Sequence, residues 1–394
     1  MTMSHNVSGR AGTTQIVHLL RNYPHLSRSE LATLLRATPA TLTHQVRMLL
    51  DTGWIRETTA RRSGTGGRPR MGLSLDNDAV YAVTVSVGLT TVVVAAVDFG
   101  GHIVALREIP HSMSAIAQGI TVINDAIQDL VESLAVDRQK WAGLGVAIPG
   151  IWDPVSKTVV FSPNLPEWSG MKLGELFRRS SGIETVIVEN DADASALGEL
   201  WFGAGREVQD MMYVLCDVGI GAGLIVNREL VRGQDNSVGE IGHVSVNSCT
   251  GEYRCGCGRV GCLESVASLT ALNRYLAEGM TTEAALNVVA DYFGTALGSI
   301  INMLSPQVVV LGGATLQTYP VLWTLLVQST RGRILQHLMH KTQLILSPLG
   351  VHAPLLGLAA LVFEQRIQSD QDTHPGTVSP AQWANPDTDS LKFY

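Results

Sequence analysis

Apolar residues recur at helical spacing through the first fifty positions of the chain. Ile16, Leu19 and Leu20 mark a short helix that begins near Thr13, Leu31, Leu34 and Leu35 mark a second, and Leu42, Val46, Leu49 and Leu50 mark a third. Ser27 or Ser29 can cap the second helix, with Glu30 supporting its first turn. Ala37-Thr38-Pro39 then breaks the pattern: Thr38 is a natural N-cap and Pro39 suits the first helical position, where its missing N–H costs nothing. Two short helices across such a turn predict a helix-turn-helix. Its last helix enters the DNA major groove, which makes Thr41, Thr43, His44, Gln45 and Arg47 the candidates for base and phosphate contact. After Gly53-Trp54-Ile55, the stretch RRSGTGGRPRMGLSL predicts a β-wing with a basic tip, and places Arg68 and Arg70 for a narrow minor groove. The plainer alternative is a three-helix packing module with a basic linker.

Beyond residue 76 the period changes. YAVTVSVG, TTVVVAAVDFGG and HIVALREI, within 80–108, are three β-rich runs separated by glycine turns. A helix is predicted around 114–134, WAGLGVAIPG reads as a buried strand, and IETVIVENDADASALGELWFGAG reads as a strand running into a helix. The second half repeats the scheme, with the glycine-cornered hairpin MMYVLCDVGIGAGLIVNREL, a long helical stretch at 283–304, and SPQVVVLGGA as a strand ending in a glycine turn. Two halves that open alike predict an α/β duplication around a cleft. From about Gln368 the composition turns to Pro, Ser and Asp and predicts disorder. The expected organisation is therefore a winged helix at 1–76, a two-lobed body at 77–367 and a tail at 368–394.

Charge sharpens this division. The chain of 394 residues carries −7 overall, yet residues 1–75 hold ten arginines, no lysine and three acids, a local balance of +7 that leaves −14 for the rest. A basic head on an acidic body suits a small module that meets phosphate and a body that does not. No apolar run reaches the roughly 18–20 uninterrupted residues of a membrane span, and the N-terminus lacks the order of a signal peptide, so a cytoplasmic location and no membrane partner are expected.

Three of the five cysteines fall within CGCGRVGCLE at 255–264, and His243 stands twelve residues upstream of the first. Thiolates at Cys255, Cys257 and Cys262 with the His243 imidazole form a Cys₃His set, which closes a tetrahedral zinc site and leaves no open position for hydrolysis. A structural zinc is expected; free thiols on a glycine-rich loop are the plainer alternative. Cys249 is a further possible ligand, and Cys216, in a predicted strand, is expected in the core.

SPNLPEW at 162–168, ENDADASALGE at 189–199, GEIGH at 239–243 and CGCGRVGCLE, with VVVLGGA at 308–314 and the helix-turn-helix, together resemble the ROK family of repressors and sugar kinases, in its winged-helix repressor branch. The resemblance spans almost the whole chain. It implies an α/β, actin/hexokinase-like fold of two lobes, and a sugar pocket lined by Asn164, Asn190, Asp191, Glu240, His243 and Glu264. It also implies that the second imidazole nitrogen of His243 faces the sugar. Carboxylates and amides suit this task, because each sugar hydroxyl both donates and accepts. Asn190 or Asp191 could instead simply cap the helix that follows.

Asp191 matches the catalytic base of ROK kinases, but the parts that grip ATP differ. Where the kinases carry Asp-x-Gly-x-Thr, this chain has Ser86-Val87-Gly88-Leu89-Thr90, without the magnesium carboxylate. Where they resemble Gly-Thr-Gly-x-Gly, it has Asp217-Val218-Gly219-Ile220-Gly221. Phosphoryl transfer rests on positioning and charge neutralisation, so these losses predict no catalytic residue and no kinase activity. The expectation is a sugar-responsive transcriptional regulator, a repressor before an activator, acting on double-stranded operator DNA as a homodimer or dimer of dimers with a monosaccharide or derivative as effector. The rivals are a sugar kinase with an added DNA-binding head, in which Asp191 is catalytic, and a constitutive DNA-binding protein with a vestigial pocket.

Overall fold

The computed structural model describes residues 12–59, 71–110, 116–163, 165–246 and 253–373. The chain divides into two compact units, one made of Met1–Val80, Asp98–His102 and Phe363–Tyr394, the other of Tyr81–Val97 and Ile103–Val362.

The first unit is the winged helix. It runs through α1 (Gly12–Asn22), β1 (Leu26–Ser27), α2 (Arg28–Leu35), α3 (Pro39–Asp51), β2 (Ile55–Thr59) and β3 (Met71–Leu75). Ser27 caps α2 in a reciprocal capping box with Glu30, and Thr38 caps α3 with Pro39 in its first turn, so both caps follow the local sequence. Ile16, Val17, Leu20, Leu31, Leu42, Val46 and Leu49 close the helical core. The strands pair antiparallel in the order β1-β3-β2, with Ile55 opposite Leu75 and Thr59 opposite Met71, which makes the wing. Arg68 and Arg70, expected at its tip, lie outside the described residues.

Residues assigned by sequence to the body and tail complete this unit. Phe99 packs edge-on against Trp54 at 4.7 Å and Phe363 at 5.3 Å between ring centroids, Arg21 donates to the Phe99 carbonyl at 2.9 Å, and the Trp54 indole N–H donates to Asp370 at 2.9 Å. The chain past 368, expected to be disordered, is thus helical through Thr373; the remainder of the tail lies outside the described residues.

The second unit holds two lobes. The first contains β4 (Tyr81–Val87), β5 (Thr91–Asp98), β6 (Ile103–Pro110), α4 (Ile116–Ser133), β7 (Trp141–Ile148), the small hairpin β8 (Ile151–Asp153) and β9 (Thr158–Phe161), α5 (Leu173–Ser181), β10 (Val186–Asn190) and α6 (Asp191–Phe202). The second contains β11 (Met211–Cys216), β12 (Ile220–Val226), β13 (Glu229–Leu230), α7 (Leu263–Ala267), α8 (Leu269–Ala277), α9 (Thr282–Leu304), β14 (Val308–Gly312), α10 (Ala314–Thr318), α11 (Val321–Arg331), α12 (Gln336–Met339) and β15 (Gln343–Leu346). The last helix, α13 (Ala353–Thr373), packs Leu358 against Ala147 of β7 and Ala194 of α6, and its residues from Phe363 on belong to the first unit.

The two sheets repeat one topology: β6-β5-β4-β7-β10 in the first lobe and β13-β12-β11-β14-β15 in the second. In each, the opening strand sits at the centre, with the rest of a meander on one side and two parallel strands on the other. This duplication is the actin/hexokinase-like fold that the resemblance implies. Parallel central strands are buried on both faces, which explains why VVVL at 308–311 is apolar without alternation. Among the described residues one helix, α9, is long and apolar enough to cross a membrane; Leu286, Val289, Phe293, Leu297 and Ile301 instead bury it in the core of the second lobe.

Candidate functional site

Five loops carry the candidate site, and three of them meet at the first residues of β12. Ala222 N–H donates to the Gly239 carbonyl at 2.9 Å, and Ile220 N–H donates to Glu264 Oε2 at 3.2 Å. A Cβ on Gly242 would come within 2.3 Å of the Ile220 carbonyl, so only glycine allows the GEIGH turn to press this closely on the strand. These contacts bring Glu240 and His243 of the GEIGH turn together with Glu264, which comes from a separate segment.

His243 ends the short 3₁₀ turn Ile241–His243 and has two chemically different sides. Its Nδ1 lies 3.5 Å from Cys255 Sγ, while its Nε2 lies 3.6 Å from Glu240 Oε2. The ligand atoms of His243, Cys255, Cys257 and Cys262 all fall within 4.8 Å of one another, and Cys257 and Cys262 sulfurs are 3.8 Å apart. Three sulfurs and one nitrogen at such separations fit a single tetrahedral ion, so this cluster can hold a metal. Glycines at 258 and 261 have positive φ and turn the knuckle on itself. Burial pushes the Cys255 thiol up in the absence of a cation, a cost that a bound cation removes by holding the thiolate. Cys249 lies outside the described residues, and Cys216 is buried in β11, in the second lobe's core.

The first lobe contributes the start of α6. Asn190 is its N-cap: Oδ1 accepts from Ala192 and Asp193 N–H at 2.8 and 3.0 Å, and Nδ2 donates to the Gly150 carbonyl at 2.9 Å. The capping alternative therefore describes much of what the Asn190 side chain does. Asp191 Oδ1 also accepts from Ala192 N–H at 2.8 Å. Burial raises the Asp191 carboxyl to about 7; the Ala192 N–H opposes this, and the charges of Asp217 and Glu240 add to it. Asn164 lies outside the described residues, but its neighbour Pro163 stands 3.4 Å from where a Cβ on Gly256 would lie, so SPNLPEW of the first lobe reaches the knuckle of the second.

An acid raised in the folded state binds its proton more tightly there than in the unfolded chain. Its favourable contribution is full below about pH 4 and is lost as pH rises through about 7. Asp191→Asn should therefore raise the melting temperature at pH 8 by a few degrees and leave it nearly unchanged at pH 4; equal shifts at both values would contradict the assignment.

Some structural supports gave no sequence signal. Arg232, in the loop after β13, pairs with the buried Glu189 at 2.5 Å and donates to Asn236 at 3.0 Å, while Asn236 donates to the Trp152 carbonyl. Asp193, buried beside Glu189, is pushed well up by burial first and by Glu189 second. Glu199, at the other end of α6, accepts from Ser347 at 2.5 Å and from Ala204 N–H at 2.8 Å. Glu189, Asp193 and Glu199 stand in the ENDADASALGE motif, but their partners are remote in sequence. These bonds hold the segments that carry Asp191 and Glu240.

The nucleotide side differs. Gly88 closes a tight turn by donating to the Thr91 carbonyl at 2.9 Å, and no acid stands in Ser86–Thr90. Asp217 accepts from Val218 N–H at 2.7 Å; burial raises its carboxyl, and the backbone donors of Val218 and Ala314 oppose this.

In the head, Thr43 and Arg47 lie exposed on α3; Arg47 sits 3.7 Å from Asp51, and the Thr43 hydroxyl donates back to the Pro39 carbonyl. Thr41 is half-buried and donates its N–H to the Thr38 cap. His44 and Gln45 are half-buried as well. The Gln45 amide presses on the start of α1, where a Cβ on Gly12 would come within 2.3 Å of it, and Gln45 Oε1 and His44 Nε2 are enclosed.

Comparison with known proteins places this geometry. The xylose repressor of Bacillus subtilis is 28% identical over 365 residues, covering 88% of this chain and 93% of the repressor. A glucokinase of Thermotoga maritima is 29% identical over 283 residues, covering 62% of this chain and 88% of the kinase. A crystal structure of a ROK family transcriptional regulator, described as a homologue of the Escherichia coli MLC protein, superposes with a TM-score of 0.75 at 22% identity, over 91% of this chain and 97% of that one. The ROK family model matches residues 82–365, which take in both lobes, the start of α6, the GEIGH turn and the metal knuckle; the chain belongs to the ROK family.

Proposed function

We propose that this chain is a sugar-responsive transcriptional repressor that binds operator DNA through its winged helix and a monosaccharide in the cleft of its ROK body. One observation carries the reading. Around the start of β12 the groups Asp191, Glu240, His243 and Glu264, suited to sugar hydroxyls, are assembled, while the turns that would hold ATP present no magnesium carboxylate and an added acid, Asp217. The similarity to a xylose repressor along most of both chains supports it. Asn164 and Asn190 complete the pocket, with Asn190 contributing its remaining Nδ2 hydrogen.

Zinc is the metal that suits His243, Cys255, Cys257 and Cys262. When bound it supplies a fixed charge and a cross-link, with no chemical step of its own. His243 then has Nδ1 committed, so Nε2, beside Glu240, is the nitrogen available to a sugar hydroxyl. In the head, Thr43 and Arg47 are the open groups of α3 and Thr41 sits at its N-terminus, while Arg68 and Arg70, outside the described residues, are proposed as further phosphate or minor-groove contacts. His44 and Gln45 would need to turn outward to meet a base. Two copies of the chain would read an inverted repeat in the cytoplasm, as twofold proteins match twofold sites.

The kinase reading retains Asp191 as base and predicts sugar-dependent ATP turnover abolished by Asp191→Asn. A coupled ADP-release assay across a panel of monosaccharides separates the two. The expected result is no turnover above that of the Asp191→Asn variant; sugar-dependent turnover would overturn the proposal.

A further inference from the structure

The acids of the cleft gather round one strand end. Glu264 takes the Ile220 N–H, Glu240 follows the Gly239 carbonyl that takes the Ala222 N–H, and Gly221 brings β12 against the first turn of α6, where an added Cβ would lie 3.1 Å from the Ala192 methyl, next to Asp191. Asp217 enters from the turn just before β12. Its carboxylate accepts the N–H of Val218 at 2.7 Å, and the backbone of Ala314, just past the end of the neighbouring parallel strand β14, favours its charged form, so the protein's own side chain faces backbone donors at the C-terminal ends of β11 and β14. In α/β sheets it is at these strand ends, with free amides, that phosphate groups are held.

Among the described residues, no ion pair joins a Lys or Arg to Asp191, Asp217 or Glu240. Arg232 is committed to Glu189 and Asn236, and His243 has Nδ1 beside the cysteine cluster. Among the described residues, no Lys or Arg figures among the charges that bear on Asp191, Asp217 or Glu240. A hydroxyl that faces Asp191 meets an acceptor. A phosphate ester on that same hydroxyl would meet Asp191 with Asp217 behind it, in a setting that screens neither.

We propose that the effector is an uncharged monosaccharide, and that Asp217 is the specificity-determining residue that excludes its phosphate esters. This rests on the reading of the cleft as a sugar-effector site and names the chemical class it takes. Asp217 acts by occupying the amides a phosphate needs and by adding a charge where the phosphate would lie.

Isothermal titration of the full-length, zinc-loaded protein tests it, with glucose, xylose and N-acetylglucosamine set against glucose 6-phosphate, xylose 5-phosphate and N-acetylglucosamine 6-phosphate. At least one parent sugar should bind, and its ester should bind about 100-fold or more weakly, the scale of a buried mismatch. Asp217→Asn, which keeps an acceptor for one amide, should narrow that ratio by about tenfold or more; Asp217→Ser serves as the second variant should the first fail to fold. An ester that binds wild type as tightly as its parent overturns the proposal and leaves the regulator reading standing. A ratio unmoved in a folded variant overturns the role of Asp217. Failure of every sugar and every ester to bind wild type overturns the sugar-effector reading, and this proposal with it.

Discussion

Adding the cognate monosaccharide to the complex of the full chain with its operator should weaken DNA binding by about 5–150-fold, the usual scale of allosteric coupling. The sugar can do this only if it favours one conformation over another, since a ligand of equal affinity for both shifts nothing. The cleft supplies such a difference. Asn190 ends β10 of the first lobe's sheet, while Asp191, Glu240 and Glu264 gather round the start of β12 of the second, so a ring that bridges the two sheets favours one arrangement of the lobes. Asp191→Asn should keep operator affinity and lose the sugar response, because it removes an acceptor from the pocket without touching the head. Gel-shift titrations at fixed salt read both quantities, fixed because phosphate contacts make affinity strongly salt-dependent. A panel in which no sugar alters operator affinity would sink the mechanism; tightening in place of weakening would reverse the assignment from inducer to co-repressor.

Removing the metal should have a comparably large effect on the sugar site. The purified protein is expected to carry one zinc per chain by elemental analysis, and Cys257→Ser or exhaustive chelation should abolish it. Among the described residues the knuckle has no regular strand pairing, only the isolated bridges Ser245–Cys262 and Arg254–Val260 and a few backbone bonds such as Cys255 N–H to the Arg259 carbonyl and Val246 N–H to the Gly261 carbonyl. The Cys255 sulfur lies 3.5 Å from His243 Nδ1 and from Glu264 Oε1, and burial pushes its thiol up, so it needs a cation to be held as thiolate. Without that cation His243 loses the partner that fixes its tautomer and ring orientation, and losses of that kind commonly cost about 10–100-fold. Calorimetry should show sugar affinity falling by that factor with a lowered melting temperature, while the winged helix, a separate compact unit, keeps its affinity for non-specific duplex. Full sugar affinity in demonstrably metal-free protein would refute the coupling.

Several of the groups on which these experiments act are ordinary in sequence. Asp217 reads as a substitution in a glycine-rich turn; the influence of the Ala314 backbone on it depends on β11 and β14 lying side by side. Arg232 and Glu189 are 43 residues apart, and nothing local pairs them. Gln45 lies on the polar side of α3 by periodicity, yet the start of α1 presses on its amide.

What the sequence determined by itself is whatever short-range physics encodes. The three helices of the head follow from apolar spacing, their starts from Ser27, Glu30, Thr38 and Pro39, and the duplicated hairpins from β-rich runs broken by glycine. The Cys₃His set is legible for the same reason, because a C-x-C-x₄-C run on glycines can only bring its sulfurs together, and the structure gathers them with His243. Tertiary structure alone decided which strand ends abut, which acids share a buried cleft, and which polar side chains of α3 face outward. Those outcomes depend on sheet order and on the closing of lobes, where the partner of each group lies tens of residues away and its desolvation is set by everything packed around it.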